Sequence, residues 1–199
     1  MVGLLLLDLP TALRLAGLLY LLVPAGVYLV LRRSHEGRSL LAWCGGAGLY
    51  GLGYLLFGLR QTVPDGLSVY LAHAMVLASF GLRVSSLRLE CQRPPAWGLN
   101  ACLVLLGFAL VVFAHGQSDA MRVQTAMLLQ VAGSAWLTWA AADIWRALGL
   151  RVARAMALAF GAMSLALLWA AVDVGQAGWQ GLSGSDSIAV TMALPIAFI

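Results

Sequence analysis

The chain has 199 residues, of which 62% are hydrophobic and only 10% are charged, and its mean hydropathy is +0.91. Water-soluble domains carry about 25% charged residues, so this composition excludes a soluble globular domain and predicts a protein embedded in a lipid bilayer. The net charge of +4 comes from arginines placed mostly in short loops and therefore indicates membrane orientation rather than binding to nucleic acid; the absence of lysine excludes a retinal Schiff base.

Seven apolar segments follow one another along the chain. Six of them have about 20 residues or more, which is the length that a helix needs to cross the hydrocarbon core of a bilayer. Asp8 and Ser118 are suited to cap the first and fifth helices, and Pro94-Pro95 separates the third from the fourth. The predicted helices span residues 10–31, 39–59, 65–87, 96–114, 118–147 and 151–174, with a seventh that starts near residue 187. The sequence thus predicts an all-α fold, a single polytopic bundle of seven transmembrane helices over residues 1–199.

Alternate connections between these helices are rich in arginine. The segments 32–38, 83–93 and 143–154 together carry a net charge of +6, and the rest of the chain carries −2. Because basic loops stay on the cytoplasmic side, we expect the N-terminus outside and the seventh helix running inward, in the inner membrane of a bacterium.

In the third segment, Asp143 precedes Arg146 by one helical turn, and this spacing predicts an ion pair between them.

The last apolar segment is too short to cross a membrane. It runs from Ser187 to Ile199, so its 13 residues would form about 20 Å of helix against a hydrocarbon core of about 30 Å. No basic residue follows to mark the cytoplasmic boundary. We therefore expect that this last helix is truncated, that the native protein continues beyond Ile199, and that the chain is a fragment.

The second helix is rich in glycine, in the stretch "LLAWCGGAGLYGLGYLLFGLR". Gly46 and Gly53 are seven residues apart, as are Gly51 and Gly58, so each pair lies on one helical face. Small residues let helix backbones approach closely in lipid. Two interpretations remain open: these faces pack against helix 1 or 3 of the same chain, or they form a dimer interface.

A small set of polar residues lies inside the apolar segments. His73 is about 12 Å below the outer end of helix 3, and a titratable group at that depth is a functional candidate. Gln130, Ser134 and Thr138 share one face of helix 5, and Asn100 on helix 4 is their expected partner. We expect His73 and the Gln130/Ser134 face to form one interior polar cluster. The alternative is that these groups serve only as interhelical hydrogen bonds. The candidate ligand-binding residues are His73, Tyr54, Gln130, Ser134 and Asn100.

Nothing in the sequence resembles a catalytic set or a metal site. No carboxylate pair lies at one membrane depth, and Cys44, Cys91 and Cys102 lack the spacing of metal ligands. We therefore predict no catalytic residues, no metal and no cofactor for this chain.

The run "LLAWCGGAGLYGLGYLLFGLRQTVPDGLSVYLAHAMVLASFGLR" resembles the second and third helices of bacterial seven-helix segments that precede GGDEF diguanylate cyclase domains and sometimes histidine kinase domains. The matching features are the early Trp43, the glycine spacing, the "LR" at the helix end, the turn at Pro64-Asp65 and the following Ser68. Where those segments often have asparagine, this chain has His73. The resemblance implies a membrane input module whose enzyme domain follows downstream.

The expected function is that of a sensory input module of a bacterial signalling protein, which passes a stimulus through helix 7 to a cytoplasmic homodimer. The exterior loops are too short to fold into a ligand-binding domain, so the stimulus is a small or lipophilic ligand that enters the bundle, or a property of the bilayer. Two alternatives remain: a small-solute transporter or channel subunit, which would have discontinuous helices and internal repeats, and an intramembrane enzyme that acts on lipid.

Overall fold

The computed structural model describes residues 9–33, 37–60, 62–64 and 66–177, and the regular secondary structure in these ranges is helical. Six α-helices lie within a few residues of their predicted bounds. They are α1 (Leu9–Leu31), α2 (Gly37–Gly58), α3 (Ala72–Glu90), α4 (Trp97–His115), α5 (Asp119–Leu148) and α6 (Arg151–Ala177). A π-helical segment, Gly66–Leu71, leads directly into α3. The predicted seventh helix and the predicted cap Asp8 lie outside the described residues.

Five helical stretches are long and apolar enough to cross a membrane. They are Pro10–Leu31, Gly37–Gly58, Gly66–Glu90, Trp97–His115 and Arg151–Asp173. The sixth helix, α5, is not among them, although its 30 residues span about 45 Å. The polar residues Gln130, Ser134 and Thr138 on one of its faces lower its mean hydropathy. The chain is therefore a multi-pass, all-helical membrane protein.

Helices that follow one another in the sequence pack antiparallel. On α1 and α2, Gly17 lies against Gly51, and Arg14 lies against Gly58. The same reversal relates α5 to α6, whose extensive contact includes a 2.8 Å hydrogen bond from Ser164 to Ser134. The connections that follow α1, α3 and α5 therefore lie at one end of the bundle. We call it the basic end, after its arginines Arg32, Arg33, Arg38, Arg88, Arg93, Arg146, Arg151 and Arg154.

The four glycines of α2 let it lie close to two neighbours at once. A Cβ added at Gly53 would be 2.7 Å from Val76 Cγ2 on α3, and one at Gly46 would be 2.9 Å from the carbonyl oxygen of Ser79. On the other face, Cβ atoms at Gly51 and Gly58 would be 2.7–2.9 Å from backbone oxygens of α1. The two pairs thus pack against α3 and α1 within the chain, and all four residues are buried there.

The two ends of α5 follow ordinary capping chemistry. The Ser118 hydroxyl accepts a 3.3 Å hydrogen bond from the backbone N–H of Met121, which confirms the predicted cap. At the other end, Gly149 adopts a left-handed conformation with φ of 66°, which a residue without a Cβ adopts readily. This turn lets α6 begin two residues later.

The predicted ion pair between Asp143 and Arg146 is wrong. The Asp143 carboxylate instead binds the guanidinium of Arg93, which the connection between α3 and α4 carries to the end of α5. Both side chains are partly exposed at the basic end, where a single ion pair contributes little stability.

Candidate functional site

The most unusual side chain of the bundle is Arg83, which is only 5% exposed. Because α3 continues to Glu90, Arg83 lies seven residues inside the helix, about 10 Å from its end. Its assignment to an arginine-rich connection is therefore wrong. Without Arg83, the three arginine-rich connections still carry a net charge of +5, so the expected orientation of the bundle does not depend on this residue.

The spacing along α3 explains why Arg83 is buried. Val76, Phe80, Arg83 and Leu87 follow one another at intervals of four, three and four residues, so they share one face. The three apolar members of this set are buried. Arginine thus occupies a position on the buried face of α3 that is usually apolar. This one charged residue in an otherwise apolar pattern was the sequence signal that could have identified Arg83 as buried.

Three aromatic rings surround the Arg83 guanidinium. Its central carbon is 5.1 Å from the centroid of the Tyr50 ring and 5.8 Å from the centroids of the Tyr20 and Trp43 rings, within the range of cation–π attraction. Tyr20 belongs to α1, whereas Trp43 and Tyr50 belong to α2. The close approach of three helices therefore builds this environment.

The charge of Arg83 has no anionic partner among the described residues. None of their carboxylates forms an ion pair with it, and its buried Nε has no hydrogen-bond partner in these parts of the chain. Removing a charge from water has an effective cost of several kcal/mol, and each cation–π contact with a ring stabilises the charge by about 0.5–2 kcal/mol. An arginine held in this way within a membrane helix is a candidate functional group.

A cavity of about 100 Å³ adjoins the guanidinium. Tyr20, Trp43, Tyr50 and Arg83 form its polar and aromatic side, and we call the whole cavity the arginine pocket. Cys44 and Ala47 of α2 and apolar residues of α1 and α6 complete it: Val23, Pro24, Val27, Ala159, Phe160 and Met163. In the described residues α1 packs along α2, and α6 packs along α5. The pocket therefore lies where α1 and α6 leave a gap, with the 39% exposed Val27 at its rim.

A short line of polar groups connects the arginine pocket to α5. The hydroxyls of Tyr50 and Tyr54 share a 2.9 Å hydrogen bond, and their rings stack with centroids 4.6 Å apart. The Tyr54 hydroxyl donates to Gln130 Oε1 at 3.4 Å. Two of the candidate residues, Tyr54 and Gln130, are thus in contact, and Tyr50 joins them to Arg83.

Ser134 forms hydrogen bonds within α5 and joins α5 to α6. Its hydroxyl donates to the carbonyl oxygen of Gln130 at 2.7 Å and accepts from the Ser164 hydroxyl at 2.8 Å. Thr138 donates to the Ser134 carbonyl oxygen at 2.8 Å. These contacts satisfy the polar face of α5 within the bundle.

His73 occupies a different cavity, of about 240 Å³, at the end of the bundle opposite the basic end. Its Nδ1 lies 2.7 Å from the carbonyl oxygen of Val69, and its ring centroid is 4.7 Å from that of Phe57. Val123 and Ala126 of α5 line the same cavity. His73 therefore faces α5, but no hydrogen bond between described residues joins it to Gln130 or Ser134. The expectation that His73 and the Gln130/Ser134 face form one polar cluster stays a prediction.

Asn100 joins α4 to α3 rather than to α5. Its Nδ2 donates to the Gly81 carbonyl oxygen at 2.9 Å and to the Ser85 hydroxyl at 2.5 Å. The expected partnership with the polar face of α5 is wrong, because α4 brings this side chain against the small residue Gly81, where a Cβ would be 3.2 Å from Asn100 Cβ.

The described residues contain no group of three histidine, cysteine or acidic side chains that could hold a metal ion. The arginine pocket combines one cation, phenolic hydroxyls, the Cys44 thiol and apolar walls, and none of its lining residues carries a carboxylate. This chemistry is suited to binding a ligand. Comparisons with protein families, with curated proteins and with solved structures find no match to this chain.

Proposed function

We propose that this chain is a membrane-embedded sensory input module of a bacterial signalling protein, of the diguanylate cyclase or histidine kinase type. It lies in the inner membrane as a seven-helix bundle with its N-terminus outside. The observation that carries the proposal is Arg83, a cation kept inside the bundle beside a cavity and without an anionic partner in the described residues. Residues 40–83, which resemble such modules, include both Arg83 and two of its aromatic neighbours.

A sensor needs a ligand whose affinity differs between two arrangements of the bundle. The arginine pocket is suited to this because its walls come from α1, α2, α3 and α6, and because α1 and α6 do not pack along each other in the described residues. A ligand that contacts both sides of the gap stabilises one separation of the two helices. The chain leaves α6 toward the predicted seventh helix, which would transmit this change to an output domain in the cytoplasm.

The test uses the complete native reading frame that contains this chain, purified in lipid nanodiscs. Cyclase or kinase activity is measured for the wild type, for Arg83→Gln and for the matched control Arg154→Gln, whose arginine lies 5.4 Å from the Trp145 ring at the basic end. We expect Arg83→Gln to change the output and Arg154→Gln to leave it unchanged. An open reading frame without an output domain, or equal activity in all three proteins across a screen of membrane extracts, would refute the sensory function.

A small-solute transporter is the second candidate, and the line of polar groups from Arg83 through Tyr50 and Tyr54 to Gln130 favours it. Such a line crosses from α3 to α5 and would suit a path for a polar solute. The transporter predicts counterflow of solutes in proteoliposomes that Gln130→Ala abolishes, whereas the sensory module predicts none.

A further inference from the structure

We infer that the arginine pocket binds the carboxylate of a single-chain amphiphile, such as a long-chain fatty acid, which enters from the bilayer between α1 and α6. The role of this ligand as a stimulus rests on the function proposed above, whereas its binding can be measured on the purified chain alone. Three properties of the pocket select this class of ligand: its charge, its size and its walls.

The charge of the pocket selects a monoanion. Arg83 offers a single positive charge, and its buried Nε has no hydrogen-bond partner in the described residues. Guanidinium groups bind carboxylates with charge-assisted and often bidentate hydrogen bonds. One carboxylate neutralises the site completely, whereas a dianionic phosphate would leave a net negative charge within the membrane, which is unfavourable.

The size of the pocket selects a slender head group. Its volume of about 100 Å³ is smaller than the ~150 Å³ of an engineered apolar cavity that binds benzene. A carboxylate with its first methylenes fits this space. The substituted ring of a quinone and the glycerophosphate of a two-chain lipid are both bulkier than benzene. The remainder of a bound molecule must therefore extend out of the pocket.

The walls of the pocket select a hydrocarbon chain for that remainder. Val23 and Val27 on α1 and Ala159 and Met163 on α6 line the pocket, so its walls on both of these helices are apolar. Val27 is exposed on the surface that would contact lipid. An acyl chain could lie along this gap and bury apolar surface while its carboxylate reaches Arg83.

Binding of tritiated palmitate is measured with the purified chain in phosphatidylcholine nanodiscs, with unlabelled palmitate, methyl palmitate and a short-chain ubiquinone as competitors. We expect saturable binding that palmitate displaces, whereas methyl palmitate, which lacks the charge, does not. Equal displacement by palmitate and its methyl ester would show apolar binding alone and overturn the assignment. Displacement by the quinone only, or no saturable binding, would overturn it as well.

Two pairs of variants locate the site. Arg83→Gln should weaken palmitate binding by about tenfold to a hundredfold, with Arg154→Gln as its control. Ala159→Phe keeps the charge but fills the pocket, and it should lower binding similarly, whereas Ala155→Phe on an exposed position of the same helix should not. Unchanged binding in Ala159→Phe would refute the location even if Arg83→Gln failed to fold. Palmitate binding without any effect on output would refute the sensory function and leave the site intact.

Discussion

The Arg83 guanidinium lies 5.1 Å from the centroid of the Tyr50 ring, and the Tyr50 side chain is itself 2% exposed. The cation is therefore held against the face of an aromatic ring in the interior of a membrane protein. The Tyr50 hydroxyl continues into a hydrogen bond with Tyr54, so the position of the charge is linked to the polar side of α5. This relationship leads to the first prediction.

Arg83→Met should fold with a stability equal to or greater than that of the wild type. The desolvation cost of a buried guanidinium is several kcal/mol. The three surrounding rings stabilise it by about 0.5–2 kcal/mol each, so the two contributions nearly cancel. Methionine removes the cost and keeps much of the packing. The melting temperature in detergent tests this, with Arg154→Met as the control. A loss of more than about 3 kcal/mol, in the range of a broken buried charge network, would mean that Arg83 is a structural residue.

Gly53→Ala should destabilise the bundle by about 1–3 kcal/mol. The new Cβ would lie 2.7 Å from Val76 Cγ2 and 2.9 Å from the Ala72 carbonyl oxygen, so α2 and α3 would have to move apart. Gly45→Ala is the matched control on the same helix, since a Cβ there meets no atom within 4 Å. It should be neutral or stabilising by up to about 1 kcal/mol. Equal melting temperatures for the two variants would contradict the close packing of α2 on α3.

Asn100→Ala and Ser85→Ala should be coupled. The Asn100 Nδ2 donates to the Ser85 hydroxyl at 2.5 Å, and hydrogen bonds between membrane helices contribute about 0.6 kcal/mol on average and up to about 1.7 kcal/mol. A double-mutant cycle of unfolding free energies measures the coupling. The cycle of Asn100→Ala with Ser134→Ala is the control and should be additive, because no hydrogen bond joins those residues. Coupling in the control cycle alone would support the contact between Asn100 and the polar face of α5 that the sequence predicts.

The orientation of the bundle can be tested with alkaline phosphatase, which is active only outside the cytoplasm. A fusion after Gly116, in the connection between α4 and α5, should be active, and a fusion after Pro94, at the basic end, should be inactive. The reason is that arginine-rich connections remain in the cytoplasm. The opposite pattern of activities would reverse the proposed topology and place the basic end outside.

The helices themselves were predictable because each depends on local sequence. A bilayer leaves no water to satisfy backbone groups, so an apolar run of about 20 residues must form a helix wherever it crosses the membrane. The ends follow from nearby residues, as the Ser118 cap illustrates. The glycine spacing of α2 likewise indicated two faces for close packing, although it could not indicate that α1 and α3 would cover them.

The arginine pocket depended on the tertiary structure because its residues come from four helices. Arg83 looked like part of a basic connection, since Arg88 and Arg93 follow it in the sequence. Only the continuation of α3 to Glu90, and its packing beside Tyr20 and Tyr50, placed this charge inside the bundle.

The same distinction holds for the polar partners. Periodicity identifies which residues share a face of one helix, but it contains no information on which neighbouring helix covers that face. Asn100 therefore bonds to α3 rather than to α5, and Asp143 pairs with Arg93 rather than with Arg146 on its own helix. The sequence by itself determined the helices and their polar faces, whereas the packing between helices decided which polar groups meet and where the one buried cation of α3 lies.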